Sequence, residues 1–81
     1  MRRYYFHIRS GEHLIEDQDG SDLPDADAAR REALLSARQI LADVIRSGKE
    51  DSPEAFVIAD SEGHELQIVT FASVLPKSLK Y

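Results

Sequence analysis

Tyr4, Phe6 and Ile8 alternate with Arg3, Tyr5, His7 and Arg9, and that period of two across aromatic and β-branched residues predicts a strand with one buried face. Ser10-Gly11-Glu12 supplies a turn, and Leu14-Ile15 opens a second strand that pairs with the first as a hairpin. The period then changes. At about 100° per residue, Ala26, Ala29, Ala33, Ala37, Ile40, Leu41 and Val44 fall in one stripe with Leu34 and Ile45 on its border. Pro24 ends the preceding extended segment, Asp25 is placed to cap the first turn, and Asp27 adds negative charge where the helix dipole favours it. Arg46 suits the last turn and Gly48 a left-handed cap, closing a helix of about 22 residues and ~33 Å. A six-residue strand spans only ~20 Å, so such a helix is expected to cross the sheet obliquely or overhang it.

Beyond a polar connector at 49–54, Ala55-Phe56-Val57-Ile58-Ala59 is a continuous apolar run and predicts a central strand covered in part on both faces. Asp60-Ser61-Glu62-Gly63 turns the chain into a fourth strand over 66–71, and Pro76 limits regular structure in the tail. The fold class is therefore α+β: a four-stranded antiparallel sheet, ββαββ, with one long amphipathic helix on one face. Placing the two most aromatic and β-branched strands in the middle gives the order 2-1-3-4. Residues 1–75 form one domain and 76–81 a short tail. The segments Ile15-Glu16-Asp17-Gln18-Asp19-Gly20-Ser21-Asp22-Leu23 and Ile58-Ala59-Asp60-Ser61-Glu62-Gly63-His64-Glu65-Leu66 share the pattern Ile-x-Asp-x-acid-Gly-x-acid-Leu. If both make the same turn, 21–23 is a short return strand and the N-terminal half is a three-stranded meander. Recurrent turn chemistry accounts for the match, because such turns select Asp and Gly.

With 81 residues the chain has room for one thin core, and domains of this size commonly add a disulfide, a metal or a partner subunit. It has no cysteine, which removes the first support and fits a reducing compartment. Self-association is the support left, and a homodimer is expected. Met1-Arg2-Arg3 carries the charge of a signal-peptide start, but the following segment is too short and polar for its apolar region; no stretch approaches a membrane span. A cytoplasmic, unprocessed chain is expected, with no membrane partner. The net charge of −5 hides blocks: 1–9 is basic, 10–29 holds seven acids and no Lys or Arg, 30–49 is mostly basic, and 50–65 is acidic again. That balance argues against general binding to a phosphate backbone, and suits a basic protein partner.

Candidate chemistry is sparse. Setting Gly20 at the sixth position of a calcium loop puts Ile15 where the first ligand belongs and Ala26 where the bidentate Glu belongs, so the acidic turn is read as solvated carboxylates. His7 can approach His13 across the first hairpin, but nothing at metal-motif spacing completes a site. No serine sits in a nucleophile elbow and there is no Gly-rich phosphate loop. Catalytic residues, cofactor and metal are therefore all expected to be absent.

Two surfaces remain. Arg3, Tyr5, His7 and Arg9 share the strand face opposite Phe6, and alternating bases and aromatics are how sheet platforms stack single-stranded bases. The neighbouring strand offers Val57 and Ala59 there, so the platform is incomplete. On the helix, Leu35 lies opposite the core stripe between Ala28 and Ala42 at heptad spacing, with Arg31 and Arg38 nearby, a second seam suited to a subunit or partner contact.

The strand Arg2-Arg3-Tyr4-Tyr5-Phe6-His7, the turn Asp17-x-x-Gly20, the helix start Leu23-Pro24-Asp25, the helix over 29–37 and the Asp60-x-x-Gly63 hairpin together resemble a group of short proteins. These are common in rhizobia and related soil alphaproteobacteria and carry only a domain-of-unknown-function label. The resemblance covers about 2–75 and implies a small, stand-alone bacterial protein, with no activity to carry over. A looser similarity is to the antitoxin half of HicA-HicB pairs, whose strand meander also leads through a Pro-containing turn into an Ala- and Leu-rich helix. The 81 residues reach only a short way past the expected fourth strand, and no DNA-binding segment like theirs is expected within them. Such a resemblance implies an acidic domain that masks a basic toxin. The function expected overall is a non-enzymatic protein-interaction or regulatory module.

Overall fold

The computed structural model describes residues 1–49, 51–76 and 78. Lys77, Lys80 and most of the expected tail lie outside the described residues. The elements are β1 (Arg2–Ser10), β2 (His13–Ile15), β3 (Ser21–Leu23), α1 (Ala26–Ser47), β4 (Ala55–Ala59), β5 (Glu65–Thr70) and a 3-10 turn over Phe71–Val74. Among the described residues the class is α+β, with one helix and an open antiparallel sheet.

The strand order is β2-β1-β4-β5, the order expected, but the sheet has five strands where the hydropathy pattern predicts four. The fifth, β3, is too short and polar to show a period. It also corrects the meander. β2 and β3 do not pair with each other in sequence; both lie antiparallel along the same edge of β1, with Ile8 opposite Ile15 and Tyr4 opposite Ser21. Between those pairs β1 has three residues, 5–7, while the outer strand has five, 16–20. Two extra residues are thus bulged out of a single interrupted edge strand.

On its other edge β1 pairs with β4, Phe6 opposite Ile58 and Ile8 opposite Phe56, and β4 pairs with β5, Phe56 opposite Val69. All five residues of β4 are buried, as a central position requires. Ala29, Ala33 and Ala37 join Tyr4, Phe56, Ile58, Val69 and Phe71 in one buried cluster, with Phe6, Ile8, Leu34, Ile40 and Leu41 packed against it. Methyl-sized side chains let a helix backbone approach closely, and all three alanines are fully buried. Gln67 Nε2 donates to the Ala26 carbonyl at 3.0 Å, tying the first turn of α1 to β5.

The helix ends follow the cap chemistry. Asp25 Oδ1 accepts from the Ala28 N–H at 2.8 Å. Gly48 adopts φ 72°, and the N–H groups of Gly48 and Lys49 return to the carbonyls of Ile45 and Val44, satisfying acceptors that the helix leaves open. Three sequence expectations change. The first strand has nine residues, about 30 Å long, so helix length alone no longer demands an overhang. Ile45 is 67 % exposed; it lies about 110° from the stripe's centre, too far round to reach the core. Phe71 belongs to the 3-10 turn, where it is buried and packs 5.1 Å from Phe56.

Candidate interaction surfaces

Asp17 organises the bulge. Its Oδ2 accepts from the backbone N–H of Phe6 at 3.1 Å, while Oδ1 accepts from the N–H groups of Asp19 and Gly20, each at 3.2 Å. The Asp17 N–H in turn donates to Nδ1 of His7 at 3.0 Å, a bond that needs the proton of a neutral imidazole on Nε2. Partial burial is the largest single influence on the Asp17 carboxyl and pushes its pKa up, but the N–H groups of Phe6, Gly20 and Asp19 together outweigh it and hold the carboxyl below its usual range. The N–H of β1 that falls opposite the bulge is met by a side chain, as a buried donor must be met by something.

The row Arg3, Tyr5, His7 and Arg9 closes over this knot. Arg3 grips Asp22 with two bonds, Nε to Oδ1 at 2.9 Å and Nη2 to Oδ2 at 3.0 Å, and its Nη1 donates to the Asp19 carbonyl. The hydrogen bond and charge of Arg3 lower the Asp22 pKa. Gly20, at φ 72°, lies beneath the row: a Cβ there would stand 2.9 Å from Arg3 Cγ, 3.0 Å from the Tyr4 carbonyl and 3.0 Å from Tyr5 Cε2. The rings of Tyr5 and His7 stack with centroids 6.4 Å apart and planes 17° from parallel. Arg9 sits opposite Leu14 on one side and Ala55 on the other. The alternation of bases and aromatics thus has a structural use, locking the interrupted edge strand to β1.

The helix seam is brought together in part. Arg31, Leu35, Arg38 and Ala42 are exposed, Leu35 at 51 %, whereas Ala28 is half-buried. The exposed part of that row starts at Arg31. Leu66 and Ile68 on β5 are also large apolar side chains left 44 % and 46 % exposed. The sequence reading passed over both, because two apolar residues in a predicted strand read as core unless the strand is known to lie at an edge. Between the start of α1 and the turn after β4 is an open cleft of about 670 Å³ whose lining mixes Arg2 and Arg3 with Asp27, Asp60 and Glu62.

The second Asp-Gly turn uses the same chemistry to another end. Asp60 Oδ1 accepts from the N–H groups of Glu62 and His64 at 2.9 Å each, and Oδ2 lies 3.1 Å from His64 Nδ1. The His64 N–H is the main cause of a lowered Asp60 pKa. Gly63 takes φ 87° where Gly20 takes 72°. This turn reverses the chain from β4 into β5, whereas the first returns it to the edge of β1 it has just left. Among the described residues no group of three or more His, Cys, Asp or Glu side chains is placed to hold a metal ion.

Among the described residues, fold and surfaces define a one-helix α+β domain whose sheet has an open edge at β5. Residues 3–72 match the family described as Domain of unknown function (DUF6894), and the chain belongs to that family. No curated protein and no solved structure matches it.

Proposed function

We propose that this domain is a non-enzymatic protein-interaction module of the cytoplasm that acts as a homodimer. The observation that supports this is the distribution of apolar side chains. Among the described residues five of the eleven buried hydrophobic side chains are alanines and Ile58 and Val69 are the largest side chains wholly out of solvent, while Leu14, Ile15, Leu35, Ile45, Leu66 and Ile68 stand 44–67 % exposed on regular elements. A thin core beside exposed aliphatic side chains is the balance that association improves. Sedimentation equilibrium tests it: a mass near twice 9.1 kDa is expected, with a melting temperature that rises with protein concentration. A 9.1 kDa mass at every concentration would exclude the homodimer.

A second reading, single-stranded nucleic-acid binding through Arg3, Tyr5, His7 and Arg9, draws support from the stacked Tyr5 and His7 rings. It is weakened by the commitment of Arg3 to Asp22 and of His7 to Asp17. A gel shift with an oligonucleotide, abolished by Tyr5→Ala and by added salt, would favour it over the homodimer reading.

A further inference from the structure

The two edges of the sheet are treated differently. On the β2–β3 side the strands are three residues long, a two-residue bulge separates them, Asp22 lies within β3, and the Asp17 carboxylate occupies the Phe6 N–H. Short strands, bulges and charges are the devices by which sheets avoid pairing with other chains. β5 carries one bulge, beside Ala59 where the register shifts, and is regular from Gln67 onward. Its charge ends at Glu65: residues 66–76 contain no Asp, Glu, Lys or Arg.

The ladder's phase fixes which groups face outward. The Phe71 N–H donates to the Glu54 carbonyl at 2.8 Å. Hydrogen-bonded pairs alternate along an antiparallel ladder, so Val69 and Gln67 also turn their backbone groups toward β4, and Ile68 and Thr70 turn theirs to the open edge. The Ile68 side chain belongs to the row that crosses the sheet through Val57 and His7, its successive partners.

We propose that the open edge of β5 is the homodimer surface, pairing antiparallel with β5 of a second copy about a two-fold axis at Ile68. This rests on the interaction-module reading and names its surface. Ile68 then faces its own equivalent as a hydrogen-bonded pair, Gln67 faces Val69 of the second copy, and the two sheets join into one. Charge selects the occupant. A basic partner would be drawn to carboxylates, and 66–70 has none; two copies that each carry −5 avoid facing like charges only along a neutral strip. The two-fold makes the contact self-complementary. Added salt screens the remaining repulsion and tightens the dimer.

The absence of native cysteine makes a direct test clean. In a hydrogen-bonded antiparallel pair the Cα atoms are about 5.5 Å apart and the Cβ atoms are similarly separated, too wide for an unstrained disulfide but within reach of a short bismaleimide. Ile68→Cys, treated with a short bismaleimide, is expected to form a covalent dimer, and Leu35→Cys to remain mostly uncrosslinked. In parallel, Ile68→Lys, with unchanged circular dichroism, is expected to weaken the dimer by on the order of thirtyfold or more, and Leu35→Glu to leave its mass unchanged. A wild-type dimer that persists in Ile68→Lys, with no Ile68→Cys crosslink, overturns the β5 edge while leaving the homodimer standing. A wild-type protein that is monomeric at its highest soluble concentration, again without crosslinking, overturns both.

Discussion

The carboxylate of Asp17 accepts the backbone N–H of Phe6 at 3.1 Å, taking the place that a neighbouring strand's carbonyl fills elsewhere along β1. Its other oxygen holds the N–H groups of Asp19 and Gly20, so one side chain both fills the gap in the ladder and shapes the loop that causes it. Asp17→Ala leaves three donors without this acceptor and is expected to cost about 1–3 kcal/mol. Urea denaturation measures this, and an unchanged midpoint would show that water replaces the carboxylate without loss.

Gly20 and Gly48 share φ 72°, yet a Cβ at Gly48 meets nothing within 4 Å while one at Gly20 collides with Arg3, Tyr4 and Tyr5. Gly48→Ala should therefore show backbone strain alone, about 1–2 kcal/mol. Gly20→Ala adds steric conflict and should be more destabilising by at least ~1 kcal/mol. Paired thermal melts of the two variants compare them directly, and equal losses would mean that Arg3 and Tyr5 move aside freely.

Nδ1 of His7 acts as an acceptor for the Asp17 N–H. Asparagine presents an oxygen near the same position, so His7→Asn should retain most of the stability, whereas His7→Phe keeps a ring beside Tyr5 and loses the acceptor. The Phe variant is expected to be less stable than the Asn variant by about 1 kcal/mol. The reverse order, in equilibrium denaturation, would make ring stacking the more important of the two roles.

Asp17, Asp22 and Asp60 all have carboxyl pKa values below the ordinary one. For a group depressed on folding, the unfolded chain takes up protons first as pH falls, so its stabilising contribution is complete above about pH 3.9 and is lost as pH drops through the folded value. Stability should thus fall through the acid range below about pH 4. Asp17→Asn and Asp60→Asn should each flatten that fall, as recorded by denaturation at a series of pH values. Slopes identical to wild type would show that these carboxylates titrate alike in both states.

Much of the architecture is local and could be read directly. The helix limits follow from Asp25, Asp27 and Gly48, whose cap and dipole roles need only neighbouring backbone. The continuous apolar run at 55–59 announces a strand buried on both sides, and the aromatic alternation at 3–9 announces its partner. The candidate surfaces were legible only in outline. Leu35 stands out because the helical period places it opposite the alanines. Leu66 and Ile68 look like core until β5 is known to be an edge strand.

By itself, then, the sequence determined an acidic, cysteine-free α+β chain, the limits of its helix, the buried run of β4 and the two Asp-Gly turns, because periodicity, caps and turn chemistry act over a few residues. Only the tertiary structure decided that β2 and β3 form one broken edge strand, that Asp17 reaches Phe6 across it, and that Arg3, Tyr5 and His7 serve as its clasp. Those relations join residues ten positions apart for His7 with Asp17, eleven for Phe6 with Asp17 and nineteen for Arg3 with Asp22. Pairing register across such separations depends on how every strand competes for β1, and no local pattern encodes that competition.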